Sequence, residues 1–221
     1  MVYHVSVGAL NTNCWIYPLE DIPSGRGKAA CIIDPGGDAP DINACLESNQ
    51  LYPAYILISH GHFDHIAALP EVLDYWKNKD VKPVVAISKD DACYLGKDAY
   101  QFHCASMKAC FGNTAFLDMQ WKNMPPPDII LQEGSTIAAF TVLHLPGHSQ
   151  GSIGFYNKAE KLLFSGDTLF QCGVGRTDLP GGDSEELAKS LNRLFTLPPE
   201  TIVYAGHGAS TSIGKEIARM N

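Results

Sequence analysis

The sequence predicts an α/β fold, and three observations carry that reading. Short apolar runs recur along the chain, and stretches with the 3.6-residue spacing of an amphipathic helix stand between several of them. Breakers built from Gly, Pro and Asp separate the two kinds of segment. The composition is that of a globular chain: 45% apolar and 18% charged over 221 residues, with a mean hydropathy of −0.06.

Residues 2–7 and 13–19 read as two strands around a polar turn. The stretch 21–28, with its Pro, Gly and charges, reads as a surface loop. A strand over 29–33 stops at Asp34-Pro35-Gly36-Gly37, a strong breaker. Residues 39–48 have helical spacing, with Ile42, Cys45 and Leu46 on one face. A buried strand follows over 54–59, then an amphipathic helix over 66–76 carrying Ile66, Leu69, Val72, Leu73 and Trp76. Residues 84–87 form a strand and 89–95 a short helix. The stretch 96–127 has no clear period and ends in Pro125-Pro126-Pro127, so it reads as an irregular excursion over the surface, near the site. Strands resume over 136–145, 152–156 and 161–165. Residues 183–194 form a helix with Asp183 or Ser184 as its N-cap. A strand over 201–205 and a helix over 213–219 close the chain. No composition break marks a linker, so one domain over 1–221 is expected. Each half runs from strands into a strand–helix unit, which hints at an internal duplication.

Composition also excludes classes. There are 24 acidic against 16 basic residues, a net charge of −8. That balance argues against a partner made of nucleic acid, whose phosphates call for a basic face. No apolar run reaches the roughly 18–20 residues of a membrane-spanning helix, so no membrane partner is expected. The first residues lack the charged and apolar parts of an export signal. Seven irregularly spaced cysteines then read as free thiols in a reducing, cytoplasmic setting, most of them small buried hydrophobes.

The chemistry is concentrated at strand ends. His60-Gly61-His62-Phe63-Asp64-His65 follows directly on the strand 54–59, and three of the eight histidines fall within these six positions. In extended chain, positions i and i+2 point the same way, so His60 and His62 can meet one ion. Asp64 and His65 start the next helix and can turn toward a second position. Three more strands stop at a Gly followed by a ligand type: Pro146-Gly147-His148, Gly166-Asp167 and Gly206-His207. In α/β folds, sites gather beyond strand ends. Five histidines and two aspartates exceed the needs of one tetrahedral ion and suffice for two. Zinc, iron, manganese and cobalt all accept such nitrogen and oxygen donors. Asp167, with two oxygens to share, is the natural bridge.

His60-x-His62-x-Asp64-His65 with His148, Asp167 and His207 resembles the metallo-β-lactamase superfamily, over nearly the whole chain from Asn13 to Glu216. The resemblance implies a four-layer αββα sandwich with a dinuclear site at one edge. By position, His60, His62 and His148 would hold the first ion, and Asp64, His65 and His207 the second, with Asp167 bridging. The stretches 145–152, 164–170 and 175–182 are similar to the thioesterase branch. Gly206-His207-Gly208, followed by Thr211-Ser212-Ile213-Gly214, resembles the short relatives of glyoxalase II. Only 14 residues follow His207, so the helical extension that supplies much of the glutathione contact in full-length glyoxalase II is expected to be absent.

The chemistry this implies is hydrolysis of a small-molecule thioester such as an S-acylglutathione. Two divalent metal ions, zinc first and iron or manganese next, would lower the pKa of a bound water from 15.7 to about 7. The hydroxide, held near Asp64 and Asp167 as the catalytic carboxylates, would attack the carbonyl carbon. A thiol, with a pKa near about 8.5, leaves without a strong proton donor. Competing readings within the family are a persulfide dioxygenase with one iron on His60, His148 and Asp167, a nuclease and a β-lactamase. From another class comes a non-catalytic binding module. Arg176 and Asp178 read as an ion pair bracing a Gly-bounded loop. Phe102, Lys108, Phe111 and Phe116 either line a substrate groove or pack the excursion. His4, His103 and His144 fall outside the motif.

Overall fold

The computed structural model describes residues 1–19 and 27–220. The loop expected over 21–28 lies almost wholly outside the described residues. Six strands form a first sheet in chain order: β1 (Tyr3–Val7), β2 (Thr12–Pro18), β3 (Lys28–Ile33), β4 (Leu51–Leu57), β5 (Val84–Ser88) and β6 (Ile129–Leu131). Helices α1 (Ala39–Ser48), α2 (Phe63–Ile66), α3 (Leu69–Lys77), α4 (Ala99–Phe111) and α5 (Ala115–Gln120) belong to this half. The second half holds β7 (Thr136–Ile137), β8 (Phe140–His144), β9 (Ile153–Asn157), β10 (Leu162–Gly166), the small hairpin β11 (Leu169–Phe170) and β12 (Gly173–Val174), β13 (Ile202–Ala205) and β14 (Thr211–Ser212). Its sheet runs β14-β13-β10-β9-β8-β7, with α6 (Ser184–Leu194) and α7 (Ile213–Met220) on its outer side.

Strand alternation builds the layers. On β3, Ala30 and Ile32 face the helices while Ala29, Cys31 and Ile33 face the other sheet. On β10, Leu162 and Phe164 point between the sheets and Leu163 points at α6. Phe155 and Phe164 are fully buried in that inter-sheet core, each worth roughly 1.5–3 kcal/mol relative to exposure. The result is the four-layer αββα sandwich that the resemblance implied.

The two sheets share a topology. β1, β2 and β3 pair antiparallel, and β4 then joins β3 in parallel after α1. In the other half, β8, β9 and β10 pair antiparallel, and β13 joins β10 in parallel after α6. The hint of an internal duplication thus has a counterpart in strand order.

Several expected elements differ. The helix expected over 66–76 is two helices, because Pro70 lacks the N–H an interior position requires and sits in the first turn of α3. The strand over 136–145 is a hairpin reversing at Ala138, whose φ is 51°. The strand over 54–59 runs instead from Leu51 to Leu57 and takes in Pro53 beside a register shift at Ala30/Cys31. The short helix over 89–95 is a single 3-10 turn, Ala92–Tyr94. The excursion 96–127 contains α4 and α5 rather than irregular chain. Phe102 and Phe111 are exposed on α4 while His103 and Ser106 are buried, so no single apolar stripe announces the helix. β6, β11, β12 and β14 span two or three residues, too few for a period to show.

All seven cysteines are free thiols. Among the described residues, no helix is long and apolar enough to cross a membrane.

Candidate metal centre

The strand ends deliver the predicted residues to one basin between the sheets. Beyond β4 the chain bends at Ser59, and His62 sits at the N-cap of α2 in extended conformation. Asp64 and His65 then fall in the first turn of α2. His148 follows β8, Asp167 follows β10 and His207 follows β13. Two glycines are required by space. Gly166 has φ +50°, and a Cβ there would lie 2.4 Å from Ser59 Oγ. A Cβ on Gly206 would lie 2.1 Å from Asp167 Oδ1 and 2.7 Å from His65 Cε1, so only Gly lets β13 turn into the basin.

Two triads result. His60, His62 and His148 each bring a ligand-type atom within 4.8 Å of the others, and so do Asp64, His65 and His207. His62 Nδ1 lies 2.9 Å from His148 Nε2. His207 Nε2 lies 3.3 Å from Asp64 Oδ2. Asp167 faces both triads: Oδ1 is 3.4 Å from His65 Nε2, and Oδ2 is 3.6 Å from His148 Nε2 and 3.4 Å from His207 Nε2. All seven predicted site residues are thus brought together.

The donor atoms fit metal cations. Nε2 of His60, His62 and His65 and Oδ1 of Asp167 are buried without a hydrogen-bond partner. Buried polar atoms are normally paired. Four orphans in one basin of imidazoles and carboxylates match what a divalent ion takes from nitrogen and oxygen donors.

Electrostatics divides the basin. Burial, reinforced by neighbouring histidines, holds His60 well below its usual range and His62 down to about 3. Both are therefore neutral, the form that binds metal. For His65 burial works against the charged ring, but Asp167 and Asp64 outweigh it and push the pKa up. The same contest at His207, with hydrogen bonds to Asp167 and Asp64, raises it to about 9. Burial opposes the charge of Asp64, yet His65 and His207 bring it to about 2. Asp167 is likewise held well below the carboxylate range by His65 and His207, against its burial.

The second ring nitrogens are held from behind. His60 Nδ1 lies 3.0 Å from Ser59 Oγ, His65 Nδ1 3.0 Å from Asp34 Oδ2, and His148 Nδ1 2.8 Å from the Arg176 carbonyl. Such partners fix tautomer and ring orientation. Asp34 also groups with His60 and His65. Its carboxylate already accepts from Ser59 N at 2.7 Å and Ser59 Oγ at 2.6 Å, so it is a support and not a free donor. Thr12 Oγ1 donates to Asp64 Oδ2 at 3.0 Å. Asn13 Nδ2 donates to the carbonyls of Ala205 and Gly208 at 2.9 and 2.8 Å, pinning the His207 turn.

Sequence reasoning missed Asp34, Ser59, Thr12 and Asn13. Asp34 had a signal: an Asp closing a buried strand, here with φ 57°, inside what reads only as a breaker. Arg176 and Asp178 form the expected ion pair, at 2.7 and 2.8 Å. His4 bonds Asn13, His103 bonds the Tyr94 carbonyl and His144 bonds the Gln150 carbonyl, so none joins the centre. Phe102 packs 6.2 Å from the Tyr94 ring, which stands 6.3 Å from His62, so α4 borders the first triad.

Comparison with known proteins agrees with this geometry. The family model of the metallo-beta-lactamase superfamily matches residues 7–207. Hydroxyacylglutathione hydrolase GloC of Haemophilus influenzae is 37% identical over 192 residues, covering 86% of this chain and 84% of the relative. Among solved structures, the B3 metallo-beta-lactamase BLEG-1 aligns with a TM-score of 0.80 at 35% identity, over 99% of this chain and 97% of its own. TTHA1623, crystallised in a di-iron-bound form, aligns with a TM-score of 0.77 at 36% identity, over 99% and 98%. Since the match runs from the end of β1 to His207 and takes in every strand end that feeds the basin, the chain belongs to the metallo-β-lactamase superfamily.

Proposed function

We propose that the chain is a metal-dependent thioesterase that cleaves small acyl thioesters of the S-acylglutathione type. In this reading His60, His62 and His148 hold one divalent ion, and Asp64, His65 and His207 hold a second, with Asp167 shared; zinc is the first choice. Cations held there supply Lewis acidity and a nucleophilic water at neutral pH. Asp64 Oδ2 and Asp167 Oδ2 both lie beside His207 Nε2, and as acceptors they orient that water toward the carbonyl carbon. Ser59, Asp34 and the Arg176 carbonyl keep three of the histidine rings aimed inward.

One observation carries the reading: a complete second triad converges with the first, and Asp167 faces both. A single-iron dioxygenase would need only His60, His148 and Asp167. The carboxylates also favour a thioester. Burial opposes the charge of Asp64 and Asp167, yet His65 and His207 hold both below the carboxylate range, so neither is set up as a proton donor to a leaving group. A thiol does not need one. The likeness to GloC supports the glutathione thioester class.

The test is one panel on metal-loaded protein and its His207→Ala variant: S-lactoylglutathione, other thioesters, glutathione persulfide with oxygen, and a cephalosporin, with metal measured on the same batches. Thioester hydrolysis is expected, falling at least about 100-fold in His207→Ala, with metal dropping from two ions per chain toward one. Oxygen consumption with the persulfide at a rate untouched by the substitution would replace this reading with the dioxygenase.

A further inference from the structure

Asp91 lies between β5 and the 3-10 turn and is 1% exposed. Its carboxylate meets three donors. Oδ2 accepts from Gly61 N at 2.8 Å and from Ser149 Oγ at 2.7 Å, and Oδ1 accepts from Gly151 N at 2.8 Å. A buried carboxylate is costly unless hydrogen bonds satisfy it, and these three do so without touching a metal-ligand side chain.

The donors have a particular address. Gly61 separates His60 from His62, Ser149 follows His148, and Gly151 lies two residues further on. The first loop leaves β4 of one sheet and the second leaves β8 of the other. A single carboxylate on a third segment therefore ties the two loops that carry His60, His62 and His148. Space leaves the arrangement little slack. A Cβ on Gly151 would lie 2.4 Å from Asp91 N and 2.6 Å from Asp91 Cγ, and one on Gly61 would lie 2.1 Å from the ring of Tyr94 in the adjoining turn.

We propose that Asp91 is a positioning residue for the first metal triad, setting the spacing between the His60–His62 loop and His148 through their backbones. The proposal rests on the two-ion reading above. The second triad has separate supports: Asp34 on His65, Thr12 on Asp64 and Asn13 on the His207 turn. Loss of Asp91 therefore falls on one ion and spares the other.

The experiment is a Zn2+ titration of chelator-treated full-length protein against a chromophoric competitor, for the parent, Asp91→Asn and Ser149→Ala, with thermal melts of the metal-free forms. Asn keeps the volume but turns one acceptor oxygen into an NH2 group facing a backbone N–H. In Asp91→Asn one binding step is expected to weaken about 10–100-fold, with the other step and the metal-free melting temperature close to the parent's. Ser149→Ala removes one of the three bonds and weakens the same step by less. Two unchanged steps in Asp91→Asn would overturn the proposal. So would equal weakening of both steps with a lowered metal-free melting temperature, which is the signature of a merely structural carboxylate. A parent that binds one ion refutes the two-ion reading instead, and Asp91 is then decided on that single step, weakened or not. Should Asp91→Asn fail to fold, Ser149→Ala decides by the same readout, an unchanged step overturning the proposal.

Discussion

Asp167 sits where the two triads meet, one oxygen toward His65 and the other toward His148 and His207. Asp167→Ala is therefore expected to abolish turnover and stable binding of both ions, measured by elemental analysis. Its far-UV circular dichroism should stay native, because the three apolar clusters do not include it. The titrating groups set a pH dependence in the metal-free protein. His62 has a folded pKa of about 3, below the ordinary 6.5, so the unfolded chain binds more protons between those values and stability rises with pH there. His207 has a folded pKa of about 9, above 6.5; its contribution is complete below 6.5 and is lost as pH climbs through 9. Melting temperatures of chelator-treated protein should peak near pH 6.5, and a rise continuing to pH 9 would contradict the assignment of His207. At this scale the candidate site residues were legible, because five of the eight histidines and two aspartates cluster in the segments that follow strand ends. Their supports were not: Ser59 and Thr12 are common types, and their role depends on partners far away in sequence, such as Asp34 for Ser59 and Asp64 for Thr12.

Among the elements, α6 shows how a local signal and the site connect. Asp183 caps it through Oδ1, accepting from the backbone of Glu185 at 2.8 Å and Glu186 at 3.0 Å, as its sequence position predicts. Its own N–H bonds the Gly147 carbonyl, next to His148. Asp183→Ala should cost about 1 kcal/mol of stability, read by urea unfolding. It should leave metal content unchanged, since the backbone bond to Gly147 survives. Elements with an apolar run or an apolar stripe were legible in this way, as in β3 and the body of α3. The pair α4–α5 was not, because its buried residues include His103 and Ser106 while Phe102, Phe111 and Phe116 are exposed. Its buried His103 packs against the rings of Phe63, Tyr94 and Trp121, contacts that its own pattern does not announce.

Over the whole molecule, the apolar core between the sheets holds the fold and the proposed ions add to it. A ligand bound only by the folded state stabilises by about 4 kcal/mol at a thousandfold excess over its Kd. Chelation should therefore lower the melting temperature by several degrees while secondary structure at room temperature stays intact; a chain that unfolds on chelation would make the ions structural. The layered architecture was legible through the family resemblance, and the α/β class through alternation alone. The strand order was not, since pairings such as β10 with β13 join segments far apart in the chain. That repeated topology has a consequence for the life of the protein. His60, His62 and His65 come from one copy of the pattern, and His148, Asp167 and His207 from the other. While the chain is still being made on the ribosome, the first half presents three unmatched imidazoles and no finished cage. Only after β13 has docked beside β10 does His207 reach the others, so uptake of the full pair of proposed ions would report that both halves have folded together.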